Sequence, residues 1–301
     1  MKALISGASG FVGQNLLKTL ANKVTFEILN RQGLNGINPS TEIDADVFIH
    51  LAGKAHDLLE VSNSDEYYQV NFELTKNLYD CFLRSNARQF IFVSSVKAAA
   101  DHIDYTLTEE VIPNPQTHYG KSKLLAEQYI QNQSLPVGKS YYILRPCMIH
   151  GPGNKGNLNL LYNFVIKGVP YPLAAFENKR SFLSVKNFCF IISSIIDRDN
   201  LPGGVYQVAD DEALSTNQVV SILASSLSKT PRFWYVPRKI VTILATVGDY
   251  LKLPITTERL KKLTENYVVS NQKIKWALDT QLPLNSIEGL QLTAKSFNQI
   301  T

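Results

Sequence analysis

The chain has 301 residues, with 30 Lys and Arg against 26 Asp and Glu for a formal net charge of +4, and 45% of it is hydrophobic. That is enough for a sizeable core in one large or two modest domains of roughly 150 residues each, and it excludes a disordered or fibrous chain. So small a surplus, spread evenly, does not supply the clustered phosphate contacts of a nucleic-acid binder.

Ala3-Leu4-Ile5 is a short apolar run ending in glycines, and Val12, Leu16 and Leu20 follow at helical spacing, which predicts strand, tight turn and helix. A second strand is expected over Val24 to Leu29, a buried one over Val47 to Ala52 and another over Phe90 to Val93, with a helix near Glu66 to Leu83. Tyr119 to Ile130 reads as a helix and Tyr141 to Leu144 as the strand after it. This alternation defines the doubly wound α/β class with a parallel sheet. Between Leu29 and Val47 only a short segment stands where a dinucleotide-binding fold places a helix and a strand, so that corner is abbreviated. The turn-rich Gly151 to Gly156 marks a change of character. We place a dinucleotide-binding domain at 1–150 and a smaller, mainly substrate-binding α/β domain at 151–301, with some segments returning to the first sheet.

Cys81, Cys147 and Cys189 are odd in number and show no metal-ligand spacing, which suggests neither disulfides nor zinc and fits a reduced cytoplasm. No His, Asp and Glu set has metal spacing, so no metal is expected. A glycine turn stands where a signal peptide would need its apolar stretch, and export is not expected. The greasy runs at 188–196 and 240–251 fall short of the roughly 18 residues of a spanning helix. Pro237-Arg238-Lys239 followed by Ile240, Val241, Ile243 and Leu244 has the pattern of a basic amphipathic helix, and we expect it to pack in the small domain, not on a membrane.

Three features carry chemistry. Gly7-Ala8-Ser9-Gly10-Phe11-Val12-Gly13 follows the first strand and opens the first helix, where missing Cβ atoms let backbone N–H groups and the helix dipole approach a pyrophosphate. After the second strand, where a carboxylate would bind a ribose 2′-hydroxyl, stand Asn30 and Arg31; a guanidinium there suits a 2′-phosphate and favours NADP over NAD, unless Arg31 is simply a solvated loop residue. Finally, Ser94-Ser95 ends a strand and Tyr119-Gly120-Lys121-Ser122-Lys123 places Lys123 one helical turn beyond Tyr119. An ammonium near the phenol would lower its pKa from about 10, and Ser95 could orient the same substrate oxygen. His50 reads as packing, and His56 and His118 as lining a loop rim.

These motifs resemble the extended short-chain dehydrogenase/reductases, especially nucleotide-sugar epimerases, dehydratases and 4-keto reductases with a Rossmann-type sheet. The resemblance extends to His50-Leu51-Ala52-Gly53, Val70-Asn71 with Thr75, Leu144-Arg145-Pro146, Gly151-Pro152-Gly153 and Arg180-Ser181-Phe182-Leu183-Ser184-Val185. It implies Tyr119 as acid/base, Lys123 on the nicotinamide ribose and Ser95 on the reacting sugar oxygen. It implies further cofactor contacts from Gly7, Gly10, Phe11, Val12, Gly13, Leu51, Ala52 and Gly53, and a structural role for Asn71 at that site. Asn157, Leu158 and Arg180 would contact the nucleotide diphosphate of the substrate, unless Arg180 is a surface ion pair. A homodimer through two helices each, one bearing Tyr119, is also implied. His150 stands where the pattern often has Tyr, Lys186-Asn187 replaces a usual acidic pair, and a clear adenine-binding Asp is missing before Val47.

The expected reaction moves hydride between a nicotinamide, NADP or NAD, and C4 of a nucleotide-linked hexose, with two outcomes sharing that chemistry: a UDP-sugar 4-epimerase retains NAD, whereas a 4-keto reductase consumes NADPH. Asn30-Arg31 leans toward the reductase, and the resembling UDP-glucose 4-epimerase-like subgroup toward the epimerase. A non-catalytic dinucleotide-binding regulator would not need Ser95, Tyr119 and Lys123, and a reductase of free carbonyls would not need the diphosphate contacts.

Overall fold

The computed structural model describes residues 1–54, 64–154, 158–251 and 256–297. The first half runs β1 (Lys2–Ser6), α1 (Phe11–Leu20), β2 (Thr25–Leu29), α2 (Arg31–Gly36), β3 (Val47–His50) and α3 (Ser64–Tyr68). A single π-helical turn (Gln69–Glu73) joins α3 to α4 (Leu74–Arg84), followed by β4 (Gln89–Val93), a 3₁₀ turn (Val96–Ala98), α5 (His118–Asn132), β5 (Ser140–Pro146) and β6 (Met148–His150). The rest comprises α6 (Leu158–Ile166), β7 (Phe182–Ser184), α7 (Val185–Ile196), β8 (Gly204–Val208), α8 (Thr216–Ser226), α9 (Arg238–Leu251), α10 (Thr257–Thr264), α11 (Gln272–Leu278) and α12 (Ser286–Phe297).

Six strands form one parallel sheet in the order β2-β1-β3-β4-β5-β8. The central strands read as unbroken apolar runs because helices cover both faces, and β3 is buried at every position. One face carries Leu16, Leu20, Phe188, Ile192 and Ile195 from α1 and α7. On the other lie Leu78, Tyr79, Phe82, Ala126 and Ile130 from α4 and α5. The strand order reverses between β1 and β3, the switch point outside whose carboxyl ends ligands bind in open α/β sheets. Beyond the sheet, β6 and β7 pair in parallel, and a third apolar cluster gathers α6, α8 and α12. β8 brings the chain back to the main sheet after residue 151. Among the described residues, no helix is long and apolar enough to cross a membrane.

Two local expectations need amending. β3 stops at His50 and not at Ala52; beyond it the Leu51 amide still donates to the Ser6 carbonyl, and the Ala52 amide donates to the Ser6 hydroxyl in place of a backbone carbonyl. The helix near Glu66 to Leu83 contains the π turn at Asn71, where the Leu74 amide reaches the Gln69 carbonyl. Such single π turns inside α-helices are frequent at functional sites. The corner after β2 is abbreviated as expected: it holds only the six-residue α2 and, among the described residues, no strand, leaving β2 at the sheet edge with Ile28 56% exposed.

Candidate active site

The switch point is lined first by the glycine turn. Gly7 has φ +75°, and a Cβ on it would lie 2.6 Å from the Ala52 amide nitrogen; one on Gly13 would lie 2.4 Å from the Gly7 carbonyl oxygen. The turn is therefore pressed against Leu51 and Ala52 and against its own helix with no room for side chains. Gly10 caps α1 without a side-chain hydrogen bond, so the first-turn amides of Phe11, Val12 and Gly13 have no capping side chain and remain available to an anion. This cradle fits a dinucleotide pyrophosphate. The Gly151-Pro152-Gly153 turn lies over it: a Cβ on Gly151 would come 3.4 Å from the Phe11 ring, and Asn15 Nδ2 donates to the Pro152 carbonyl at 3.5 Å.

At the end of β2, Asn30 and Arg31 are both exposed. Asn30 Oδ1 accepts from Gly33 N at 2.8 Å, so its carbonyl oxygen is occupied in capping α2. Arg31 opens that helix with its side chain in solvent.

Ser95, Tyr119 and Lys123 converge at the ends of β4 and α5. The Ser95 hydroxyl hydrogen-bonds the Tyr119 phenol and also accepts from Lys97 N at 3.2 Å. Two features that spacing did not reveal fix this approach. A Cβ on Gly120 would sit 2.4 Å from the Lys97 carbonyl, so α5 rests directly on the turn that carries Ser95. Asp101 pins the start of α5: Oδ2 accepts from the amides of Gln116 (2.6 Å) and Thr117 (3.1 Å), and Oδ1 from the Thr117 hydroxyl (3.0 Å). Tyr67 completes the wall, its ring edge-on to Tyr119 at 6.3 Å between centroids.

The expected lowering of the Tyr119 pKa by Lys123 is not what the structure shows. Burial pushes the phenol up, the Ser95 hydrogen bond pulls it down, and the neighbouring Tyr67 adds to the rise. Lys123 Nζ instead donates to the Val93 carbonyl at 3.0 Å and packs over Phe92. Burial brings Lys123 down to about 8, with the Glu127 carboxylate opposing. Between about 8 and the ordinary lysine value of 10.5 the unfolded chain thus holds more protons at this group than the folded one, so its contribution to stability rises with pH across that window. Urea unfolding of wild type and Lys123→Met from about pH 7 to about pH 10 is expected to show the difference moving in favour of wild type as pH rises.

Asn71 is fully buried beside Lys123, with Oδ1 accepting from Lys54 N (2.8 Å) and Nδ2 donating to the Lys54 carbonyl (3.1 Å) and Ser122 Oγ (3.0 Å). A Cβ on Gly53 would meet both Lys123 Nζ (2.9 Å) and Asn71 Oδ1 (3.0 Å). His50 is a packing residue, as expected: burial brings it to about 3, and it bridges Ser6 Oγ and Thr75 Oγ1. His118 Nδ1 meets the Tyr68 hydroxyl at 3.0 Å, while His56 lies outside the described residues.

The substrate-side residues divide. Asn157 lies outside the described residues. Leu158 sends its side chain into the apolar cluster of the C-terminal half, leaving only its backbone for a ligand. Arg180 is half-buried, and its backbone is bridged to Leu214 and Tyr267. Tyr267 in turn donates its hydroxyl to the Ala100 carbonyl at 2.5 Å, with Lys97 Nζ 4.3 Å from its ring centre, which ties the Arg180 segment to the Ser95 turn. The two departures at His150 and Asn187 are structural: His150 Nδ1 meets Thr293 Oγ1 at 2.8 Å, and Asn187 Nδ2 donates to Asp210 Oδ1 at 2.7 Å. Among the described residues no group of His, Cys, Asp and Glu could hold a metal ion.

A parallel sheet with a bare glycine turn at its switch point and a Ser-Tyr-Lys cluster beside it defines a nicotinamide-dependent enzyme of the extended short-chain dehydrogenase/reductase type. The chain belongs to the NAD dependent epimerase/dehydratase family, whose sequence model matches residues 3–209. It is 30% identical to the UDP-glucose 4-epimerase of Vibrio cholerae, over 98% of this chain and 95% of that protein. It is 29% identical to the N-acetyl-alpha-D-glucosaminyl-diphospho-ditrans,octacis-undecaprenol 4-epimerase of Escherichia coli O157:H7, over 90% of this chain and 84% of the relative. Among solved structures, MoeE5 in complex with UDP-glucuronic acid and NAD superposes with a TM-score of 0.76 at 19% identity over all of both chains, a likeness of fold.

Proposed function

We propose that this enzyme carries out NAD(P)-dependent oxidoreduction at C4 of a nucleotide-linked hexose, with Tyr119 as acid/base, and that its net direction is reduction of a 4-keto sugar by NADPH. The observation that carries the direction is Arg31, exposed at the end of β2 with no carboxylate beside it in the sequence, where a guanidinium pairs with a 2′-phosphate.

In this reading residues 1–150 hold the cofactor and 151–301 mainly the substrate. The amides of Phe11, Val12 and Gly13, reached past Gly7 and Gly10, hold the pyrophosphate. Leu51, Ala52 and Gly53 give backbone walls to the dinucleotide, Asn30 and Arg31 face the adenosine ribose, and Lys123 holds the nicotinamide ribose against a floor fixed by Asn71. When bound, the nicotinamide supplies the hydride. Ser95 orients the C4 oxygen and Tyr119 gives it a proton. Arg180 and the backbone at Leu158, with Asn157, take the diphosphate. The convergence of Ser95, Tyr119 and Lys123 disfavours a non-catalytic regulator, and Arg180 disfavours a reductase of free carbonyls. A homodimer through α4 and α5, where Leu125 is 39% exposed, belongs to the same proposal.

The second reading, a UDP-sugar 4-epimerase that retains NAD, is favoured by the Vibrio cholerae relative. Arg31→Glu separates the two. If the 2′-phosphate pairs with Arg31, the variant loses about 10- to 100-fold in affinity for NADPH, with NADH binding little changed. Wild-type protein isolated with stoichiometric NAD, and an Arg31→Glu variant with unchanged cofactor preference, would instead establish the epimerase.

A further inference from the structure

Helix α9 touches the body of the protein along one narrow stripe, Val241, Ala245 and Gly248, its buried residues. Away from that stripe Ile240, Ile243, Leu244, Val247, Tyr250 and Leu251 stand between 42% and 84% exposed. They recur at intervals of three, four and seven residues and so form a continuous apolar band along the helix. Immediately before it Trp234 and Tyr235 are 59% and 68% exposed. The expectation that this segment packs in the small domain therefore holds for one stripe only. A contiguous apolar surface of this kind marks an interaction site, whereas scattered exposed side chains do not.

The charge around it identifies the partner. From Lys229 to Lys262 the sequence has eight Lys and Arg against two Asp and Glu, a net of +6 in a chain whose whole net is +4, so the remainder carries −2. The positive charge is thus concentrated here, contrary to an even spread. Arg238 is fixed beside the band, its Nε donating to the Ala175 carbonyl at 2.7 Å, and Lys239 and Lys261 are exposed. An apolar helical band flanked by Lys and Arg, with Trp and Tyr at its edge, is the composition of a helix lying in the plane of a membrane interface. Two copies of the chain meeting there would bring two +6 segments together, which opposes self-association through this face.

We infer that α9, with Trp234 and Tyr235, docks this enzyme on an anionic phospholipid surface, the apolar band entering the acyl boundary and the flanking bases meeting lipid phosphates. The inference does not depend on the direction of the C4 reaction.

The test is flotation with vesicles of phosphatidylglycerol and phosphatidylcholine, and with phosphatidylcholine alone. Wild type is expected to float with the anionic vesicles and to be released by high salt. Lys239→Gln should weaken binding about fivefold, and Ile243→Glu with Leu244→Glu by about tenfold or more, with an unchanged thermal midpoint since both side chains are exposed. In Trp276→Phe, Trp234 is the sole tryptophan, and its emission should shift to the blue on the anionic vesicles. Wild type that floats with neither vesicle, or equally with both, overturns the inference. So does a glutamate double variant whose change is in sedimenting mass with flotation intact, which would assign the band to a second copy of the chain.

Discussion

Replacing Tyr119 by Phe is expected to lower turnover by about 10²- to 10⁴-fold while leaving NADPH affinity within experimental error of wild type. The phenol hydroxyl is the atom that the Ser95 hydroxyl meets, whereas the ring packs against Tyr67 and is retained in the variant. Loss of a general acid removes an interaction made in the transition state, so kcat and kcat/KM should fall together. In the proposed arrangement cofactor binding rests on other groups, namely the amides of the glycine turn and Lys123. Fluorescence titration with NADPH beside steady-state kinetics checks both halves. Turnover that survives in Tyr119→Phe would remove Tyr119 from the chemistry, and lost cofactor binding would mean that its role is structural.

The second large effect lies beneath the site. Glu127 and Arg145 are buried, and Arg145 Nε lies 3.0 and 3.1 Å from the two carboxylate oxygens of Glu127, one of which also accepts from the Ser94 hydroxyl. This network joins α5, β5 and the end of β4, the elements that carry or adjoin Tyr119, Lys123 and Ser95. Glu127→Gln leaves the Arg145 guanidinium buried without its counter-charge and is expected to cost about 3–5 kcal/mol. The corresponding fall in thermal midpoint is about 10 °C, read by calorimetry. Glu127→Leu combined with Arg145→Met removes both charges and should recover much of that loss, because the uncompensated ion, more than the missing contact, is the penalty. A double variant no more stable than Glu127→Gln would contradict this account.

What the sequence made legible was local. The glycine turn, the strand ending at Ser94-Ser95 and the Tyr119–Lys123 pair each lie within a few residues of chain, so their spacing alone reports their geometry. The parallel sheet followed from the unbroken apolar strands and the helices between them. Asp101, Gly120 and Tyr267 were not legible as parts of the site. Gly120 matters through the Lys97 carbonyl it lets approach, and Tyr267 through carbonyls at Val96 and Ala100, contacts no periodicity encodes. The pKa of Tyr119 is not legible for a related reason: sequence spacing gives the nearness of Lys123 along a helix, but not the Val93 carbonyl toward which its ammonium turns. Helix α9 likewise showed its amphipathic pattern in sequence, while which of its faces meets the protein is decided by packing.

The most direct test of hydride transfer at C4 is to supply NADPH carrying deuterium at the transferable position, with a panel of UDP- and GDP-linked 4-keto hexoses, and to locate the label in the product by NMR. The account predicts deuterium at C4, bound to the carbon whose oxygen Ser95 and Tyr119 address, and none in a Tyr119→Phe reaction stopped at the same time. Deuterium at any other carbon, or NADPH consumed with no label in the sugar, would contradict it.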